Sequence, residues 1–354
     1  MKAARLHAIG DFRVDEIEKP TVKGKEILVK VGACGICGSD IPRVFTLGTS
    51  RQDYPLTIGH EFGGEIVEVG PDGDKNLIGK RGAIFPLIPC RSCPSCERGE
   101  YCMCDNYDYL GSRNDGGFAD YCLVPSDWHF IESKNPDTPM EALAMTEPCT
   151  VAQHAVRKGD VTNGQVVAIF GAGPIGIMTA RWCKLFGAKP VLFDVVEEKI
   201  QFGKEHGVDV LNNMTGAPKD LIKEYTGGKL ADVVIEGTGT GAALGQGIEC
   251  CKAGGTIVLM GNPGKDTQIK LAQHSQILRK ELTIKGIWNS HYANYPINEW
   301  TVTVENIDNG NMVVTDLITH KCSLDELPSL CEDIYNRKVN ICKAMFTERE
   351  WYGF

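Results

Sequence analysis

Cys37 in "CGICGSD", His60 in "IGHEFGG" and Glu147 in "EPCTVAQHA" supply a thiol, an imidazole and a carboxylate. These are ligand types that zinc takes when it is held for catalysis. Three protein ligands leave a fourth position open, where the metal can polarise a hydroxyl and lower its proton affinity. Asp40 is expected to orient His60 from behind, and Ser39 to pass the hydroxyl proton towards solvent.

A different pattern follows in "PCRSCPSCERGEYCMC". Cys90, Cys93, Cys96 and Cys104 stand in C-x2-C-x2-C-x7-C spacing. Four thiolates close a tetrahedral shell around zinc with no position left for substrate, so the expected role is structural. Cys102 competes for the fourth place. Glu97, Glu100, Asp105 and Asp108 surround the run, which speaks against a zinc ribbon that grips nucleic acid. The chain is therefore expected to carry two zinc ions.

"GAGPIG" is the third motif. Gly171, Gly173 and Gly176 have the G-x-G-x-x-G spacing of a turn that brings backbone close to a pyrophosphate, with Pro174 and Ile175 between them. The helix expected to follow offers free N–H groups and a positive dipole end to the phosphates. Asp194 comes eighteen residues after Gly176, at the end of the next apolar run. A carboxylate there suits the adenosine ribose hydroxyls and repels a 2′-phosphate, so NAD is expected rather than NADP.

These motifs need two kinds of scaffold. Up to about residue 150, short β-branched runs such as "EILVKVGA", "GGEIVEVG" and "DYCLV" alternate with Gly and Pro and predict a β-rich domain. From about Val151, apolar runs alternate with helical stretches and predict a doubly wound α/β domain with buried parallel strands. "ADVVIEGTG", "GTIVLMGNP" and "ELTIKGIW" are its later strands. Beyond about Asn289 the alternation stops, and a mixed tail is expected to return to the first domain.

Composition limits the partners. The net charge is −9, which disfavours nucleic acid as the main ligand. The apolar stretch Val166 to Ala180 is too short for a membrane span and is broken by Gly and Pro. The first residues lack the apolar core of a secretory signal, so a cytoplasmic protein is expected. Fifteen cysteines then read as ligands or buried small hydrophobes rather than disulfides.

Taken together, "GICGSD", "GHEFGG", the four-cysteine lobe, "EPCTVAQHA" and "GAGPIG" resemble the zinc-dependent medium-chain dehydrogenases, and the resemblance runs from end to end. It implies a GroES-like catalytic domain over residues 1–150, with the zinc lobe at 89–105. It also implies a Rossmann NAD-binding domain over 151–288 and a returning segment over 289–354. By the family pattern Cys37 and His60 bind the catalytic zinc. Glu61 is an alternating ligand or close neighbour, and Cys104 rather than Cys102 completes the structural shell. Glu147 matches the polyol-dehydrogenase branch.

"GSDIPRVF", "YDYLGSRNDGGFADY" and "ILRKELTIKGIWNSHYANYPINEW" are similar to polyol-phosphate dehydrogenases within that family. The likeness implies oxidation of a secondary hydroxyl of a sugar-alcohol phosphate with NAD, by a homodimer or homotetramer. Arg43 is placed beside the substrate, with Arg113 a second candidate, because a guanidinium grips phosphate oxygens bidentately. Pro42 is a departure: it lies near where classical alcohol dehydrogenases often carry a relay histidine. Dehydrogenation of an arabitol phosphate, of a free polyol such as sorbitol, or of threonine is the alternative activity. A silent zinc- and cofactor-binding protein is the non-enzymatic one.

Overall fold

The computed structural model describes residues 1–293 and 296–348. Asn294, Tyr295 and residues 349–354, all within the predicted returning segment, lie outside the described residues. The chain divides into two compact units: Met1–Pro148 together with His291–Phe354, and Cys149–Ser290.

The first unit is built around the strand Ile27–Gly35, eight of whose nine residues are buried. Along one side it pairs antiparallel with Glu61–Val69. Along the other side it pairs with Tyr121–Val124 near its start and with Lys343–Thr347 near its end. Arg81–Ile84 and Phe130–Glu132 extend the sheet beyond Glu61–Val69, and Ile318–Cys322 extends it beyond Lys343–Thr347. Val29, Val31, Ile58, Phe62, Ile66, Phe118 and Phe346 fill the core against this sheet. Each such side chain contributes roughly 1.5–3 kcal/mol by leaving water. A separate aromatic cluster of Phe85, Trp128, Tyr292 and Trp300 lies close to the cysteine lobe. Phe85 stacks on Tyr292 at 4.2 Å, and the Arg91 guanidinium of the lobe sits 4.4 Å over Trp128.

The second unit is a six-stranded sheet. Its strands lie in the order Val210–Asn212, Lys189–Asp194, Val166–Phe170, Ala231–Glu236, Cys251–Leu259, Thr283–Gly286, and every pairing is parallel. The first strand in sequence is thus central, and the strand order reverses between it and Ala231–Glu236. In doubly wound sheets this reversal is where ligands bind. One strand departs from expectation. "ELTIKGIW" reads as a buried strand, but Thr283–Gly286 is largely exposed, with Ile284 at 42%. As the last strand of the sheet it has a neighbour on one side only among the described residues.

Candidate functional site

Two neighbouring strands of the first unit bring three metal-binding side chains together. Gly35 pairs across the sheet with Glu61, so Cys37, just past the end of one strand, meets His60 and Glu61 at the start of the other. Ligand atoms of Cys37, His60 and Glu61 all lie within 4.8 Å of one another. His60 and Glu61 are buried, and Cys37 is half-buried. Glu147 is not part of that set. It begins the helix Thr146–Lys158, is 7% exposed, and accepts a 3.3 Å hydrogen bond on Oε1 from the Tyr109 hydroxyl.

Asp40 is fully buried beneath this group. The Cys37 amide donates to its Oδ2 at 3.0 Å and Arg43 Nη1 to its Oδ1 at 2.6 Å. His60 Nδ1 lies 3.6 Å from Oδ1, within ion-pair range but beyond a hydrogen bond. Burial works against the Asp40 charge, yet His60 and Arg43 hold its carboxyl below the usual range. Burial pulls the His60 imidazole down, but Asp40 and Cys37 outweigh it and leave His60 well above its ordinary value.

Glu61 has a partner that sequence reasoning missed. Lys343, 4% exposed and 282 residues away in sequence, donates to Glu61 Oε2. Burial works against the Lys343 ammonium, and the Glu61 charge keeps its pKa above the usual value. The pair packs where Gly35 has no side chain; a Cβ there would overlap both Glu61 Oε2 and the Lys343 stem. Glu147 is instead hydrogen-bonded by the neutral Tyr109 hydroxyl. Burial, opposed by His60 and reinforced by Glu61, pushes its carboxyl up to about 7.

The donor set fits zinc. A thiol, an imidazole and a carboxylate converge, and the buried His60 Nδ1 has no hydrogen-bond partner of its own. The lobe fits zinc as well: the sulfur atoms of Cys90, Cys93, Cys96 and Cys104 lie within 4.8 Å of one another, and Cys102 is not among them. Amides turn towards the lobe sulfurs, Cys90 N to Cys104 Sγ at 3.3 Å and Cys96 N to Cys93 Sγ at 3.5 Å. Donors from Ser92 pull the Cys90 thiol down to about 6. None of the fifteen cysteines is in a disulfide.

The other candidates fall as follows. Ser39 is exposed beside Cys37. Arg43 opens a π-helical turn, Arg43–Leu47, with one end of its guanidinium on Asp40 and a side chain 17% exposed. Arg113 folds onto its own loop, 4.0 Å over the Tyr107 ring, and donates to the Tyr107 carbonyl.

In the second unit the glycine turn leads into the helix Pro174–Leu185. Pro174 opens this helix, and no side chain caps its N-terminus. Its first-turn N–H groups remain for a ligand. Gly171 has φ +104°, and a Cβ on Gly176 would overlap the Gly171 carbonyl oxygen. A Cβ on Gly173 would meet nothing within 4 Å, so its absence keeps a space clear. Asp194 accepts from Ala172 N on Oδ2 at 2.8 Å, and on Oδ1 from Val195 N at 2.8 Å and Val196 N at 3.0 Å. It therefore ties the glycine turn to the end of the second strand, a job separate from the ribose contact expected of it. A carboxylate has about four acceptor sites, so capacity for a hydroxyl remains. These features fit a dinucleotide.

Two family profiles match in succession: the alcohol dehydrogenase GroES-like domain over residues 23–134, and zinc-binding dehydrogenase over 174–309. The chain belongs to the zinc-dependent medium-chain dehydrogenases: it is an oxidoreductase whose cofactors are zinc and a nicotinamide dinucleotide. Among its relatives, galactitol 1-phosphate 5-dehydrogenase of Escherichia coli K12 is 33% identical, covering 94% of this chain and 96% of the relative. L-threonine 3-dehydrogenase of Symbiobacterium thermophilum is 34% identical, covering 94% of each. The crystal structure of the E. coli galactitol-1-phosphate dehydrogenase superposes with a TM-score of 0.91 at 31% identity, over 98% of this chain and 100% of that one. A Sinorhizobium meliloti protein assigned as a zinc-binding dehydrogenase and bound to NADP superposes with a TM-score of 0.87 at 30% identity, over 98% and 99%. Among the described residues, no helix is long and apolar enough to cross a membrane.

Proposed function

We propose that the protein oxidises a secondary hydroxyl of a sugar-alcohol phosphate to the keto-sugar phosphate, with galactitol 1-phosphate giving tagatose 6-phosphate as the favoured pair. The observation that carries the dehydrogenase reading is the open, largely buried donor set of Cys37, His60 and Glu61. In this reading Cys37, His60 and Glu147 hold the catalytic zinc with Glu61 as the exchanging carboxylate, and the four-cysteine lobe holds the structural zinc. The first unit serves as the catalytic domain and the second as the NAD domain, with each boundary two residues from the expected one. The chemistry supplied when the two groups are bound is Lewis-acid activation of a hydroxyl and acceptance of a hydride.

The chain's own residues do the rest. Asp40 fixes the Cys37 loop through its amide and backs His60. Ser39 hands the hydroxyl proton outward, since Pro42 has no proton to carry. Asp194 selects NAD over NADP by repelling a 2′-phosphate, with Val195 and Val196 supplying no cation to offset it. Arg43 grips the phosphate with the part of its guanidinium that Asp40 does not take, so that remote binding energy orients the reacting carbon.

A free polyol or an amino alcohol is the second reading. Both candidate arginines already have intramolecular partners, Arg43 on Asp40 and Arg113 on Tyr107, and neither needs a phosphate to be satisfied. One assay separates the two: NADH or NADPH formation over paired free and phosphorylated alditols, for the wild type and Arg43→Ala. The first reading expects a preference for the phosphorylated member, and Arg43→Ala lowers kcat/KM for it at least tenfold more than for its free analogue. A wild type that prefers the free polyol, or equal losses on both, leaves the second reading standing.

A further inference from the structure

Tyr109 touches two of the groups assigned to the open metal site, although it is not a ligand type that zinc takes there. It lies in the short strand Asp108–Tyr109, opposite Leu87, and is 8% exposed. Its backbone is fixed on both sides. The Tyr109 carbonyl accepts from the amides of Ser112, Arg113 and Asn114 at 3.3, 2.9 and 3.1 Å, and Leu110 N donates to Pro86 O at 2.8 Å. Before it, Asp108 pairs with Arg51. Arg113 covers the Tyr107 ring, which in turn meets the Tyr109 ring edge-on at 6.2 Å. Arg113 thus braces the outer side of a wall whose inner face is Tyr109.

From that wall the phenol reaches inward. Its hydroxyl donates to Glu147 Oε1 at 3.3 Å, and its ring stands edge-on to the His60 imidazole at 5.8 Å and 68°. The two carboxylates of the site are therefore held differently. Glu61 faces a buried ammonium, whereas Glu147 is held by a neutral donor that engages one oxygen and leaves Oε2 for a metal.

We infer that Tyr109 is a positioning residue for the open metal site: its hydroxyl anchors Glu147 by one oxygen, and its ring walls off His60. This rests on the open-site reading above. A hydrogen bond to the second oxygen of a ligand carboxylate orients it, and loss of such a bond typically lowers metal affinity about 10- to 100-fold.

The test uses the full chain, wild type and Tyr109→Phe, which removes one oxygen and keeps the ring. Both proteins are equilibrated with chelator-buffered zinc and assayed for metal content. The open site is then loaded with cobalt and its visible absorption recorded, and NADH formation is followed in parallel. The Phe variant is expected to keep one zinc in the cysteine lobe. It should bind the second metal about 10- to 100-fold more weakly, show a shifted cobalt band, and lose kcat more than KM. Wild-type affinity with an unshifted band in the Phe variant overturns the inference. Loss of the lobe zinc as well overturns it too, since the phenol would then act on folding at large. A wild type that binds a single zinc overturns the open-site reading itself.

Discussion

Lys343 places a positive charge inside a space that also holds a thiol, an imidazole and two carboxylates. Removing one partner of a buried ion pair leaves the other uncompensated, at a cost of about 3–5 kcal/mol. Lys343→Met should therefore destabilise the zinc-free protein by about that amount. A bound zinc would offset the orphaned Glu61 charge, so the same variant should lose clearly less when zinc-loaded and should hold its second zinc more tightly. Urea unfolding with and without chelator checks the first expectation, and competitive zinc titration the second. Equal losses with and without metal would count against the charge argument. The cysteines, His60 and the glycine turn were legible in the sequence because their chemistry is carried by residue type and short spacing. Lys343 was not, because a lysine late in a chain carries no local mark of burial. Nor was Tyr109, whose role depends on a helix that begins 37 residues later. The sequence pointed to Glu147 among the ligands, but the geometry sets it beside the close donor set rather than within it.

The sheet of the first unit works at this site because its central strand can be approached closely from both sides. Glu61 and Lys343 come from the strands flanking Ile27–Gly35, and they meet across Gly35. Gly35→Ala forces a methyl group into that crossing. Overpacking of this kind costs about 1–3 kcal/mol, and here the strain falls on the ion pair. We expect a Tm several degrees lower together with weaker binding of the second zinc, read by thermal unfolding and metal titration. An unchanged zinc affinity would mean that the pair has room to shift. Element types were readable from pattern: the β-branched runs and the strand–turn–helix around "GAGPIG" form the elements expected of them. Pairing across long separations was not readable, because alternation marks a strand without naming its neighbour. The exposed edge strand Thr283–Gly286 shows the same limit, since an apolar run does not reveal that it ends a sheet.

At the scale of the molecule, acid stability depends on a histidine outside the metal sites. His129 is 2% exposed, with Nδ1 3.0 Å from the Phe85 carbonyl, and burial pushes its pKa down to about 4. An unfolded chain takes up this proton near pH 6.5, while the folded protein resists until about pH 4. The unfolded state thus binds more protons across that window, and stability falls as the pH drops through it, by at most about 3 kcal/mol from this residue. His129→Gln, whose amide can still donate to Phe85, should flatten that slope when urea unfolding is compared at pH 7 and pH 4.5. An unchanged slope would place the acid sensitivity elsewhere. The order of the units along the chain has a consequence for biosynthesis. Cys149–Ser290 is continuous, so it is translated in full before synthesis of the segment His291–Phe354 begins. The first unit is split around it, and Lys343 is added 282 residues after Glu61. Until then the nascent chain carries Cys37, His60 and Glu61 without their counter-charge. A truncated product, however well its dinucleotide unit folds, lacks the cation that completes the electrostatics of the zinc pocket.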